Sequence, residues 1–306
     1  MAKRQPKPVL SPDAQQALSL YDNLLSHHQD LRPSTCRNYL SDIQQFMAWY
    51  EHRHLQNFYI SHITTPTLTR YRTYLQQEVQ CKPATINRYL VSLKRYFAWL
   101  TEQSLLDRNP AHPIKLVKAV EQASHRMDDQ QESAFVATVQ HGRRLRDIVL
   151  ITLMLHTGLR VGEVCSLQWH DVASHPRSGH LKIWGKRHKY REVPLNSTAR
   201  RGLEELKSQH KQDGDLSTFV FASIRTGDCL TPRAIGFIVK KYARQAGLPD
   251  LHPHDLRHRF GYRMAESTPL HRLAQIMGHD SLDTTMIYVQ STQQDLQSSV
   301  EKIAWE

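Results

Sequence analysis

The sequence predicts a mainly α-helical protein of two domains, the second carrying a small β-sheet. Three observations predict it. Apolar residues recur at helical spacing from about Leu10 to Leu106, with few glycines to interrupt them. Two prolines, Pro110 and Pro113, then end the periodicity, which stays absent to about His125. In the second half, residues 179–195 alternate apolar and polar side chains around a charged tip, as a hairpin does. A chain of 306 residues suffices for about two domains of roughly 100–200 residues. The expected division is a helical domain over 10–106, a linker over 107–125 and a second domain over 126–306.

Two stretches of the first domain match at an offset of 50. Arg32-Pro33-Ser34-Thr35-Cys36-Arg37-Asn38-Tyr39-Leu40 parallels Lys82-Pro83-Ala84-Thr85-Ile86-Asn87-Arg88-Tyr89-Leu90, and Ala48-Trp49 parallels Ala98-Trp99. Ser or Thr after the proline is expected to cap each helix start. Ile86, Leu90, Leu93, Phe97 and Leu100 form an apolar stripe, so the two helices are expected to pack as a pair. Arg37, Arg88, Lys94 and Arg95 lie off the stripe, as phosphate contacts or as a solvated face. In the second domain, helices are expected over 128–141, 145–157, 231–246, 255–266 and 270–277, with Gly278 ending the last. Strands around Leu181, Ile183 and Trp184, and over 190–195, enclose the tip Gly185-Lys186-Arg187-His188. The tail, with Leu296, Val300 and Ile303, reads as another amphipathic helix.

The net charge of +11 points to a polyanionic partner. Both halves share it: residues 1–125 hold 15 Lys and Arg against 9 Asp and Glu, and residues 126–306 hold 25 against 20. A two-lobed clamp on one polyanion explains this better than a globule with a basic arm. No apolar run approaches the roughly 20 residues of a membrane span, and the start of the chain lacks the apolar core of a signal peptide. Cys36, Cys81, Cys165 and Cys229 are scattered without a CxxC pair. A disulfide framework or zinc site is therefore not expected, and a reducing cytoplasm is the expected compartment.

Six residues carry the chemistry: Arg160, Lys186, His254, Arg257, His279 and Tyr288. Arginines clamp non-bridging phosphate oxygens, a lysine or histidine moves protons, and a tyrosine attacks phosphorus. No acidic metal cluster or Walker-type loop accompanies them, so neither metal nor nucleotide cofactor is expected. Taken singly, each has a plain structural reading. Arg160 and Glu163 suit a one-turn ion pair, Lys186 a solvated turn, and His254 a core histidine.

Their flanks carry a resemblance. The run from Thr157 through Gly158-Leu159-Arg160-Val161-Gly162-Glu163 to Leu167 resembles the first conserved box of the tyrosine recombinases, the phage-integrase and Xer-like family. His254-Asp255-Leu256-Arg257-His258 resembles the second box, and Met277-Gly278-His279 with Thr284-Thr285-Met286-Ile287-Tyr288 the third. Gly185-Lys186 and Arg191-Glu192-Val193-Pro194-Leu195 look like the family's lysine-bearing hairpin. The family often has glycine after that lysine, where this chain has Arg187. Lys189 is a second basic candidate at the tip, but Gly185 precedes Lys186 as in the family pattern.

The resemblance covers about residues 10–300. It implies an all-α SAM-like core-binding domain plus an α+β catalytic domain, forming a C-shaped clamp on double-stranded DNA. Tyr288 would form a 3′-phosphotyrosine and free a 5′-hydroxyl, with Arg160 and Arg257 on the phosphate and Glu163 bracing Arg160. Lys186 would protonate the leaving oxygen, His254 accept the proton of Tyr288, and His279 donate to the phosphate. Arg187, Lys189, Arg225, Arg233, Lys240 and Lys241 are further candidate DNA contacts. Four protomers would exchange strands on two paired sites through a Holliday junction, in the nucleoid, and an accessory DNA-bending or heteromeric recombinase partner is compatible with the resemblance. The C-terminal helix would dock on a neighbouring protomer. The length leaves no room for an extra arm-binding domain. A type IB topoisomerase and a binding-only DNA protein are the rival readings.

Overall fold

The computed structural model describes residues 9–27, 31, 33–118, 127–185, 190–212, 214, 217–279 and 281–288. The chain splits into two compact units, Met1–Gln122 and Ala123–Glu306. The expected tail helix lies outside the described residues, as does part of the expected linker.

Among the described residues the first unit holds the α-helices α1 (Pro12–His27), α2 (Pro33–His54), α3 (Thr65–Gln77) and α4 (Pro83–Glu102). Proline opens α4 as its first residue, since its fixed φ suits a helix start and the missing N–H has no intrahelical partner there. Lys82 is the N-cap and makes no side-chain cap bond, so Thr85 lies inside the first turn and does not cap it. α2 likewise begins at Pro33, with Thr35 inside it.

The two matched helices pack together, α2 against α4. Phe46, Met47, Leu90, Leu93 and Phe97 meet Tyr21 and Tyr71 in the core. Asp42, 1% exposed, lies at this seam. It accepts from Ser92 Oγ at 2.7 Å and pairs with Arg88 Nη1 at 2.8 Å. A buried carboxylate needs such partners. Burial still outweighs them and raises its pKa above the ordinary aspartate value.

The second unit contains α5 (Asp129–His141), α6 (Leu145–Thr157), α7 (Val161–Ser166), β1 (Val172–Ser174), β2 (Gly179–Trp184) and β3 (Tyr190–Pro194). It continues through α8 (Ser197–Gln212), α9 (Pro232–Gln245), α10 (Pro253–Ala265), α11 (Leu270–Met277) and α12 (Asp283–Met286). The sheet is antiparallel in the order β1-β2-β3, with Leu181 opposite Val193 and Ile183 opposite Arg191. Its inward residues Leu181, Ile183 and Val193 join α6 and α9 in one core, with Leu150, Leu153, Ile235 and Val239.

Asp128 caps α5 by accepting from Gln131 N at 2.7 Å, and Thr231 caps α9 by accepting from Ala234 N at 3.1 Å. α10 starts two residues before the expected Asp255. Pro253 begins it, and Asp255 accepts from His252 N at 2.7 Å. β1, α7, α8 and α12 lie outside the expected ranges. The first has three residues, too few for an alternation to show.

Candidate active site

Two left-handed glycine turns organise the site. Gly158 ends α6 with φ +61, and Gly278 ends α11 with φ +65. Each exposes carbonyl oxygens at a helix C-terminus, where cationic side chains are favoured. Arg257, 2% exposed, donates from Nη2 to Met277 O at 2.9 Å and from Nη1 to Gly158 O. Arg160, the N-cap of α7, donates from Nη2 to Gly278 O at 2.7 Å. Both guanidinium groups therefore meet at the end of α11. Burial and the charge of Arg160 push Arg257 down to about 10.

Glu163 holds this corner. Its carboxylate accepts from Arg160 N at 2.8 Å and Arg160 Nη1 at 3.2 Å. Arg191 on β3 grips it with two further bonds, 3.0 and 2.9 Å, and also donates from Nε to Ile276 O at 2.9 Å. Burial favours the neutral acid, but the hydrogen bonds and charge of Arg191, with those of Arg160, outweigh it and hold Glu163 below the usual glutamate value. A Cβ on Gly278 would come within 2.7 Å of the Arg191 guanidinium, so glycine serves both the turn and the close approach there.

Tyr288 is 4% exposed, and its ring lies against Gly261, where a Cβ would stand 2.5 Å away. Its hydroxyl lies 3.1 Å from His258 Nδ1. The His279 ring stacks on Tyr288, with centroids 6.2 Å apart and planes 12° from parallel, and its Nδ1 lies 2.8 Å from Thr285 Oγ1. His254 packs on His258 with centroids 4.4 Å apart. Burial, opposed by Arg257, pushes the Tyr288 phenol up to about 12. Burial and Arg257 lower His254, and burial and His254 lower His258. Burial, Arg257 and Arg160 take His279 to about 4. All three imidazoles are thus biased toward the neutral form. Among the described residues the site carries the charges of Arg160, Arg191 and Arg257, with Glu163 as their acidic partner.

The structure brings Arg160, Glu163, His254, Arg257, His279 and Tyr288 together. Lys186, Arg187 and Lys189 lie outside the described residues. Among the described residues, no group of three His, Cys, Asp or Glu is placed to hold a metal ion. His258, Arg191 and Gly261 were missed as site residues. The signal for two of them was in the spacing: 254, 257, 258 and 261 form one face of a helix. Nothing in the sequence marks Arg191 as more than a strand residue beside a basic tip.

The candidate DNA contacts are dispersed. Arg37, Arg88, Arg95, Arg225, Arg233 and Lys241 are exposed, and Lys94 and Lys240 half-buried. Arg88 is tied to Asp42, Lys94 donates to His112 O at 3.3 Å, and Arg95 lies over the Tyr39 ring at 5.3 Å. Arg233 lies over the Phe237 ring at 5.5 Å, and Lys241 over the Tyr242 ring at 4.4 Å.

Two guanidinium groups held at the end of α11, near a tyrosine hydroxyl and three imidazoles, form a donor set suited to an oxyanion such as a phosphoryl group. Residues 125–295 match the model of the phage integrase family, and residues 18–112 that of the phage integrase N-terminal SAM-like domain. The chain belongs to the phage integrase family. It is 32% identical to the tyrosine recombinase XerA of Pyrococcus horikoshii over 198 residues, 64% of each chain. It is 32% identical to the tyrosine recombinase XerC of Actinobacillus pleuropneumoniae over 192 residues, 62% of each. The matched part is thus less than two thirds of each relative. The fold is that of the Tn1549 transposon integrase in complex with circular intermediate DNA, at TM-score 0.73, 20% identity, 93% of this chain and 98% of that one. XerH bound to palindromic difH substrate gives TM-score 0.72 at 18% identity, covering 97% and 99%. No helix among the described residues is long and apolar enough to cross a membrane.

Proposed function

We propose that this protein is a site-specific DNA recombinase that cleaves and rejoins strands through a covalent 3′-phosphotyrosine at Tyr288. The carrying observation is that Arg160 and Arg257 meet at the end of α11, while the Tyr288 hydroxyl lies against His258 of the same helix that carries Arg257. Arg160 and Arg257 bind the non-bridging oxygens of the scissile phosphate. Their guanidinium groups are fixed before the substrate arrives, so charge growing toward the pentavalent transition state meets donors that need no reorganisation. Tyr288 attacks phosphorus, and the covalent bond conserves the phosphodiester for rejoining, so no nucleotide is consumed. Lys186 is assigned as the acid that protonates the leaving 5′-oxygen. His279 donates to the phosphate, and His254 belongs to the proton-handling group around the phenol.

The helical domain over 10–106 and the catalytic domain over 126–306, joined by 107–125, both contact duplex DNA. Arg37, Arg95, Arg225, Arg233, Lys240 and Lys241 are assigned to that surface, with the tip residues Arg187 and Lys189. Four protomers on two paired sites exchange strands through a Holliday junction, in the nucleoid of the cytoplasm, with an accessory DNA-bending protein or a second recombinase as partner. XerA and XerC, named as tyrosine recombinases, support this reading.

The test uses a nicked duplex whose sequence the protein itself selects from a random pool. The nick releases a short fragment on cleavage, so the covalent complex accumulates and survives denaturing electrophoresis. The wild type is expected to give it and Tyr288→Phe to give none. Equal behaviour of the two contradicts the reading.

A further inference from the structure

We propose that Phe237 on α9 recognises a thymine of the bound duplex through its C5-methyl group, and so helps to set which sequence the protein selects. The inference rests on the reading above that Arg233, Lys240 and Lys241 contact duplex DNA. It adds to that surface a contact that distinguishes one base from another.

α9 has two unlike faces. Ile235, Val239, Tyr242 and Ala243 are buried in the core of the second unit. Arg233, Phe237, Lys241 and Arg244 are exposed and Lys240 is half-buried, and at helical spacing these five share the opposite side. The helix contains no acidic residue, and among the described residues no carboxylate pairs with any of its four cations. Phe237 stands in the middle of this cationic face, 56% exposed. The Arg233 guanidinium lies 5.5 Å from its ring centroid.

Gly236, on the rim of the same face, is a second unexplained residue. A glycine inside a helix costs stability. Gly236 has no positive φ, and a Cβ there would meet nothing within 4 Å. Neither the helix nor its packing requires a glycine at this point. The space above it is open for another molecule to approach the helix backbone.

Cations without carboxylate partners suit phosphates, but a phenyl ring offers a phosphate nothing. The apolar group that base edges present to a helix is the thymine methyl in the major groove. The minor groove, about 6 Å wide, is too narrow for a helix about 10 Å across, whereas the major groove, about 12 Å wide, admits one. From Arg233 to Arg244 the face runs about 16 Å. Cations therefore stand before and after Phe237 along the helix, placed for the phosphates that border the groove while the ring meets the base edge. Both the ring and the methyl leave water on contact, which favours the complex.

The test uses the full-length protein and the duplex it enriches from a random pool. Each thymine in turn is replaced by deoxyuridine, which keeps the base pair and removes only the methyl group. Affinities of wild type, Phe237→Ala and Phe237→Leu are measured by fluorescence anisotropy. At one thymine or two adjacent ones, the replacement is expected to weaken the wild type about 4-fold, the effect of leaving one methyl group unburied. The same replacement should leave F237A unaffected, while F237L, still apolar, keeps part of the dependence. F237A should retain the wild-type salt slope, because no phosphate contact is lost. Gly236→Ala should raise the melting temperature and weaken duplex binding, and unchanged binding contradicts the close approach of α9. Absence of any methyl dependence in the wild type, or losses from F237A and deoxyuridine that add independently at every thymine, overturns the inference and leaves DNA binding standing. Failure of the wild type to enrich any sequence overturns the recombinase reading itself. The wild-type deoxyuridine scan needs no variant, so it decides even where F237A fails to fold.

Discussion

A methyl group at Gly261 on α10 would press into the ring of Tyr288, at 2.5 Å. Helix propensity alone favours alanine there by about 1 kcal/mol. We expect the opposite in function: Gly261→Ala should displace the nucleophile and slow strand cleavage roughly 100-fold, with duplex binding retained. A single-turnover rate equal to wild type would show that the ring has room. Arg160, Arg257, His279 and Tyr288 sit in runs whose flanks carry the family pattern, and the fold brings these four into one neighbourhood. Which imidazole touches the phenol was not legible in the sequence, since His254 and His258 are both one turn from Arg257 or adjacent to it. Their order around Tyr288 depends on how α10 is rotated, which packing against α6 and α11 decides.

Between elements, Arg191 does the joining. It ties β3 to α7 through Glu163 and to α11 through Ile276 O. Its side chain and that of Glu163 are 16% and 15% exposed, so the pair is mostly buried. Arg191→Met leaves Glu163 with one arginine fewer in a desolvated corner and should cost about 3 kcal/mol in urea unfolding, the low end for breaking a buried pair. Glu163→Gln combined with Arg191→Met should cost less than the two separate losses added together. Additive losses would mean the two side chains act separately.

On the far side of α10, Arg259 pairs with Glu132 at 2.6 Å and with Asp129, and Arg263 with Glu132 at 3.0 Å, fixing the helix to α5. The elements themselves were mostly readable from periodicity. β1 is too short to alternate, and Pro83 starts α4 with no side-chain cap bond from Lys82.

The whole chain spreads its basic excess over both units, and nucleic-acid affinity should follow. Each phosphate contact contributes about −0.9 to the slope of log affinity against log salt. Arg233→Ala is expected to flatten that slope by about 1, measured by fluorescence anisotropy. Arg88→Ala should instead lower the thermal stability of the first unit, since it leaves Asp42 buried with Ser92 as its remaining partner; a pure change in salt slope would contradict this.

The catalytic unit should also be sensitive to acid. His254, His258 and His279 have folded pKa values below the unfolded value of 6.5, so the unfolded chain binds more protons between the two. Their stabilising contribution is present above pH 6.5 and declines as pH falls toward the folded values. Glu163, also lowered, adds a loss at more acid pH still. Thermal melts of the protein from pH 7 to 4 should show a falling midpoint, and a midpoint rising over that range would contradict the assignment of neutral imidazoles.

The central claim is that Tyr288 is the residue that joins DNA. Peptide mapping of the trapped complex by mass spectrometry tests it most directly. The predicted result is one peptide containing Tyr288, linked through its phenolic oxygen to a 3′-phosphate, with a free 5′-hydroxyl on the released strand. A linkage at any other residue, or to a 5′-phosphate, would contradict it.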